Sequence, residues 1–310
     1  VGENGRTLKD PNELDRIRKL AIPPAYQNVW ICSDPNGHLQ ATGIDARGRK
    51  QYRYHPRFRE IRDEDKFHRM ADFGKALSVV RKQVDADLAR RGLPKERLLA
   101  VVLSLLERSL IRVGNDEYAK QNKSYGLTTM LSRHVTVRGQ QIRFTFRGKS
   151  KKDHQIEVRD LRVARLVKRI QDLPGQELFH YQDESGQARC VSSSDVNQYL
   201  REITGQHFTS KDFRTWWGTL LAFIELSLLE RPTSQTAIER SIGDVIKKVS
   251  QQLGNTPSIC RKCYVHPAVL EAFRAGSLKK SRVALTKSGT ELVTQFEKRL
   301  LKLLRSHQSS

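Results

Sequence analysis

Acidic residues are what this chain is short of: 34 Asp and Glu stand against 56 Lys and Arg, a formal surplus of +22 over 310 residues. A surplus of that size does not suit an enzyme of neutral metabolites and points to a polyanion, because each neutralised phosphate releases counterions and makes binding strong and salt-dependent. No apolar run reaches the ~18 residues of a membrane span and no signal-peptide pattern is present, so a cytoplasmic protein is expected. Cysteine is scarce, at positions 32, 190, 260 and 263. So few and so unevenly spaced, these cysteines argue against a disulfide framework and suit a reducing compartment. No cluster of carboxylates stands out amid the basic residues to hold catalytic magnesium or manganese. A glycine-rich phosphate loop is also missing, so ATP use is not expected. Internal repeats are absent, and a first residue other than methionine implies trimming or a chosen boundary.

What is present divides into two textures. Residues 1–65 are rich in turn signals and short alternating runs, Asn28 to Cys32, Leu39 to Thr42 and Lys50 to Tyr54, as in a small twisted antiparallel sheet. Pro35-Asn-Gly37 is a plausible hairpin turn, and Gly43 and Gly48 flank the next bend. From Asp65 onward Phe67, Met70, Phe73, Leu77 and Val80 recur at helical steps, so the domain boundary is placed in the charged run 57–66. Residues 66–310 are expected to be mainly helical. The apolar stretch 96–113 reads as a buried helix that Arg112 ends just before Gly114. A three-stranded hairpin insert is expected over 134–159, with Lys149 on its second turn, where it either swings into a groove or solvates the loop. Further helices are expected at 159–171, at 194–204 behind the Ser192 cap, from Thr209 to about 229, from Pro232 to Leu253 and from 287 to 305. The architecture is thus α+β: an N-terminal antiparallel sheet domain, then a larger helical domain carrying a β insert.

The stretch Leu253 to Pro267 offers the sharpest chemistry. Gly254 can end one helix in a left-handed conformation, and Thr256-Pro257 can cap and start the next. Tyr264 would then lie about two turns into a short helix that Pro267 closes, beside Arg261 and Lys262. A phenol with a pKa near ~10 needs neighbouring positive charge or a base before it can attack anything. A surface tyrosine in a basic helix is the plain alternative. Cys260-x-x-Cys263 with His266 has zinc-like spacing but lacks a fourth ligand. Thr209 and Asp212 resemble a capping box that places Lys211 and Arg214 in the first turns of a helix, where backbone N–H groups favour a phosphate. Of Trp216 and Trp217 next to them, at least one reads as a core anchor. Arg112, Lys149, Arg214 and Tyr264 together would equip a metal-free phosphoryl transfer, with arginines on the transition-state charge and a lysine as acid. Spacing alone does not bring them together.

In order, Ile111-Arg-Val-Gly114, Phe146-Arg-Gly-Lys149, Lys211-Asp-Phe-Arg-Thr215, Gly254-Asn-Thr-Pro257 and Cys263-Tyr264 resemble the motifs of the short type IB DNA topoisomerases of bacteria and poxviruses. Gly48-Arg-Lys-Gln-Tyr-Arg-Tyr54 adds a match in the N-terminal, DNA-clamping domain. The resemblance spans from about Ile22 to the last helix. It implies that Tyr264 attacks a backbone phosphate and becomes joined to the 3′ end, that Arg112 and Arg214 hold the non-bridging oxygens, and that Lys149 protonates the departing 5′ oxygen. Asn255 stands where many relatives have histidine; it can donate a hydrogen bond but cannot titrate. Gln51, Tyr52, Tyr54, Tyr118 and Lys211 match DNA-contacting or phosphate-supporting positions. The implied protein is a nucleoid-associated monomer that clamps duplex DNA and relaxes supercoils by strand rotation, without ATP or a required metal. A tyrosine recombinase shares much of this set but usually has histidine where Lys211 stands. A non-catalytic DNA-binding protein would share the charge.

Overall fold

A computed structural model of the protein describes residues 7–46, 48–183, 185–278, 280 and 289–308. It forms two compact units, Val1–Phe67 and His68–Ser310. The first contains α1 (Pro11–Lys19), β1 (Gln27–Ile31), β2 (Leu39–Ile44) and β3 (Lys50–Tyr54), and α2 (Pro56–His68) follows the sheet. The strands are antiparallel in the order β1-β2-β3. Gln40, 2% exposed, donates to the carbonyls of Asp34, Pro35 and Gly37. The polar atoms of the first hairpin turn are thereby satisfied from inside the sheet.

Both helices of this unit differ from the expected run of turns and strands. Asp10 caps α1 by accepting from the Asn12 N–H at 2.9 Å, with Pro11 in the first turn, the signature of a helix start. Among its described residues α1 buries none, and its apolar Leu14 and Ile17, one helical step apart, are only half-buried, so burial alone holds it weakly. It is tied down instead by Arg16, which donates to Gln40 Oε1 at 2.9 Å and to the Cys32 carbonyl at 2.8 Å. The charged run 57–66, expected as a polar boundary, lies inside α2.

The second unit runs α3 (Met70–Leu88), α4 (Lys95–Ser109), α5 (Asp116–Asn122), the sheet β4 (Val135–Arg138), β5 (Gln141–Arg147) and β6 (Asp153–Arg159), α6 (Leu161–Gln171), the hairpin β7 (His180–Gln182) and β8 (Ala188–Cys190), α7 (Ser193–Thr204), α8 (Ser210–Leu228), α9 (Gln235–Leu253), α10 (Pro257–Cys263), α11 (Pro267–Arg274) and α12 (Gly289–Gln308). Met70, Phe73, Leu77 and Val80 are buried on α3 as their period requires. Phe73 meets Phe208 and Phe213 edge-on, with ring centroids 5.2 and 5.1 Å away, and Trp216 of α8 is fully buried beside it. The expected hairpin insert is β4-β5-β6, with Ile142, Phe144 and Phe146 facing the core at alternate positions.

Three local differences bear on function. Helix α4 stops at Ser109 because Leu110 turns left-handed at φ 56°, so Arg112 sits on the following loop and not at a helix end. Tyr264 is the residue capping α10, at φ −128°. Pro267 opens α11 where it was expected to close the tyrosine's helix. Of the expected final helix, positions 287 and 288 lie outside the described residues.

Candidate active site

The loop carrying Arg112 is fixed by close backbone contact. Leu127 N–H donates to the Arg112 carbonyl at 2.9 Å and Thr128 N–H to that of Val113 at 2.7 Å. Gly114 holds φ 112°, and a Cβ on Gly126 would come within 2.5 Å of the Gly114 nitrogen. Neither position admits a side chain without moving the loop. Half-buried Arg112 then donates through Nη2 to Asn255 Oδ1. Asn255 follows Gly254, the left-handed cap of α9 at φ 62°, and its own N–H closes on the Ser250 carbonyl at 2.9 Å. Because Oδ1 is committed to Arg112, the amide's Nδ2 is the other end; it is buried and has no hydrogen-bond partner among the described residues.

Arg214 joins the segments. It is 5% exposed on α8 and donates to the carbonyls of Leu110, at the exit of α4, and of Leu253, at the end of α9, the latter at 2.6 Å. Its guanidinium carbon lies 5.3 Å from the centroid of the Tyr264 ring, and its Nε is buried with no hydrogen-bond partner among the described residues. Burial, and next the nearby Arg112, push its pKa down to about 10, while the Tyr264 phenol acts in the opposite direction. Arg214 therefore remains a cation at neutral pH. Tyr264, half-buried, is seated from α8 as well. Thr219 Oγ1 donates to the Tyr264 carbonyl at 3.1 Å and accepts from the His266 N–H at 3.0 Å. A Cβ on Gly218 would approach that same carbonyl to 2.7 Å.

Lys149 opens a short turn, Lys149–Lys151, between β5 and β6. Its exposed side chain lines one pocket with Arg112 and Arg214. The same pocket is lined by His154 and Tyr125, which sequence reasoning did not single out. His154 pairs across the strands with Phe146, so its place was visible once the hairpin register was drawn.

The remaining expected residues lie elsewhere. Lys211 is exposed in the first turn of α8 and does not line the pocket. The start of α8 is occupied by its own Thr209–Asp212 capping box, and Ser210 N–H donates to Asn197, so those groups are already satisfied. Tyr118 is 44% exposed on α5. In the first unit Gln51 donates to Asp45 at 2.9 Å, and Tyr52 stacks on Tyr54 at 6.3 Å with about half its surface exposed. The zinc-like residues do other work: His266 Nδ1 caps α11 by accepting from Ala268 N–H at 3.1 Å, and burial pushes the Cys260 thiol up to about 11. Among the described residues no group of three or more His, Cys, Asp or Glu is placed to hold a metal. Nor is any described helix long and apolar enough to cross a membrane.

The family described as eukaryotic DNA topoisomerase I, catalytic core, matches residues 55–289. That span covers Arg112, Lys149, Arg214, Asn255 and Tyr264. The chain belongs to the type IB DNA topoisomerases. A second family, the bacterial DNA topoisomerase IB N-terminal domain, matches residues 1–45, which makes this a topoisomerase with a bacterial-type front end. The DNA topoisomerase 1B of Acanthamoeba polyphaga mimivirus is 36% identical over 276 residues, covering 86% of this chain and 81% of the viral one. That of Vaccinia virus (strain Copenhagen) is 24% identical over 254 residues, covering 79% and 75%. DNA topoisomerase 1 of Rabbit fibroma virus is 24% identical over 266 residues, covering 82% and 80%.

Proposed function

We propose that this type IB topoisomerase relaxes supercoiled duplex DNA by opening and resealing one strand through Tyr264. The phenolic oxygen attacks a backbone phosphorus and the P–O5′ bond breaks. The phenol's proton passes to solvent, and Lys149 supplies a proton to the leaving 5′ oxygen. The product is a 3′-phosphotyrosyl link and a free 5′-hydroxyl. Arg112 and Arg214 hold the non-bridging oxygens as negative charge develops. Asn255 donates to one of them through Nδ2. The observation that carries this reading is that two of the buried donors with no hydrogen-bond partner among the described residues, Arg214 Nε and Asn255 Nδ2, sit on side chains already locked by Arg112, Leu253 and the tyrosine ring. A buried donor without an acceptor is costly, and phosphate oxygens are acceptors of the right charge.

The covalent link conserves the energy of the broken phosphodiester, so the free strand rotates about the intact one and religation runs back along the same path without ATP or a required metal. Duplex DNA is gripped by a single copy of the chain. Gln51, Tyr52 and Tyr54 of the N-terminal unit, with Tyr118 and Lys211, make phosphate and groove contacts. Three of these five are exposed, Tyr52 and Tyr118 by 48% and 44% and Lys211 likewise.

Replacing Tyr264 by Phe removes only the nucleophilic oxygen. Tyr264→Phe is expected to bind duplex DNA with near wild-type affinity and to show no plasmid relaxation in EDTA without ATP. Relaxation by this variant would reject Tyr264 as the nucleophile. SDS trapping of the wild type should leave protein on the 3′ end, and protein on the 5′ end would reject the assigned polarity.

A further inference from the structure

His154, with Tyr125, is one of two titratable side chains of the pocket that the chemistry above leaves unused. It lies on β6 opposite Phe146, and the two rings stack with centroids 5.2 Å apart and planes 18° from parallel. Its edges face two glycines. A Cβ on Gly148 would meet the ring at 2.7 Å, and so would a Cβ on Gly254. Gly148 immediately precedes Lys149, and Gly254 immediately precedes Asn255. One imidazole therefore fills the space between two loops that carry site residues, and the bare glycines are what admit it.

The charges around this ring come from each element packed on it. Arg112 approaches from the loop after α4, Arg214 from α8 and Lys152 from the β5–β6 turn, against the carboxylate of Asp153; Lys149 lines the same pocket. Burial first, and then these cations, hold the His154 pKa below its usual 6.5. At neutral pH the ring is uncharged and adds nothing to the crowding of cations. A protonated ring would be repelled by two arginines and a lysine at once.

We infer that His154 is a positioning residue: as a neutral ring, it braces the Lys149 turn against the Gly254–Asn255 corner. This rests on Lys149 being the proton donor, since what the brace sets is the reach of that lysine to the 5′ oxygen. A misplaced acid slows only a reaction that needs one.

The test compares single-turnover cleavage by wild type, His154→Ala, His154→Phe and Lys149→Ala. Each acts on duplexes with a 5′-oxygen or a 5′-thiol leaving group, from about pH 5.5 to 8. His154→Ala is expected to cleave the oxygen substrate about 10 to 100-fold more slowly and the thiol substrate within about threefold of wild type. His154→Phe keeps a ring between the glycines. It should recover most of the rate and lose whatever decline ring protonation imposes on wild type toward acid pH, since the His154 pKa is held low. If His154→Ala slows both substrates equally while Lys149→Ala remains selective for the leaving group, the brace is rejected. If Lys149→Ala itself slows both equally, the proton-donor assignment fails instead. An acid decline that persists in His154→Phe rejects the requirement for a neutral ring.

Discussion

Arg214 meets two demands with one side chain, which makes it the residue where stability and chemistry are hardest to separate. Two of its N–H groups satisfy the carbonyls of Leu110 and Leu253, which hold together the segments whose side chains Arg112 and Asn255 pair. Of the five N–H groups, the one on Nε is buried with no hydrogen-bond partner among the described residues. Lysine keeps the charge but offers a single compact donor group that cannot reproduce a planar fork between two carbonyls. Arg214→Lys is therefore expected to destabilise the fold by about 1–3 kcal/mol, the cost of a buried acceptor left dry. It should also slow cleavage on the order of 10²-fold through lost transition-state contacts. Denaturant unfolding and single-turnover cleavage measure the two effects separately, and a wild-type rate for the lysine variant would remove the guanidinium from the chemistry. Individually, Arg112, Arg214, Asn255 and Tyr264 could be picked out of the chain by motif. Their meeting could not, because Arg112 reaches its partner 143 positions away across loops whose course depends on left-handed Leu110 and Gly254. The strand position of His154 follows from the hairpin register, but its part in the site does not. Its significance lies in two glycines, one of them a hundred positions further along the chain.

At the scale of elements, what the sequence disclosed was whatever carries a local signal. The Ser192–Asp195 and Thr209–Asp212 capping boxes, the Gly254 cap and the Thr256-Pro257 helix start all form as their residue types require. Helices α1 and α5, which bury none of their residues, and the three-residue strands β7 and β8 were not legible, because periodicity reports burial and these elements have little or none. Packing between elements is a further step that no local pattern reveals, and Gly74 illustrates it. On α3 this glycine is a poor helix former, and replacing it by alanine should gain up to ~1 kcal/mol by propensity. A Cβ there would, however, stand 2.3 Å from the indole of Trp216 and 2.8 Å from Leu301. Trp216 is fully buried, so neither it nor its neighbours can yield freely. Overpacking of a dense core costs about 1–3 kcal/mol, which outweighs the propensity gain. Gly74→Ala should thus lower stability by roughly 1–2 kcal/mol in equilibrium denaturation, and a stabilised variant would show that α3 and α8 are less tightly fitted than the distances indicate.

Over the whole molecule the dominant quantity is the charge of +22, and its meaning can be measured without reference to catalysis. If the surplus serves DNA, binding must release counterions in proportion to the phosphates neutralised, so that log Kobs falls with log salt at a slope of about −0.9 per contact. With the Tyr264→Phe protein, which separates binding from cleavage, affinity for a duplex is expected to drop on the order of 10³-fold between 50 and 200 mM salt, as for about six contacts. A slope shallower than about −2 would mean that the cations mainly solvate the surface. Two substitutions give the slope a finer use. Lys211 is exposed on α8, so Lys211→Gln should reduce the slope by about 1 if its ammonium meets a phosphate. Gln51 carries no charge, so Gln51→Ala should weaken binding without altering the slope if its amide reads a groove edge. An unchanged slope in Lys211→Gln would free that lysine from the backbone, and its effect on relaxation, if any, would then have to arise through α8 and the arginine two positions beyond Asp212.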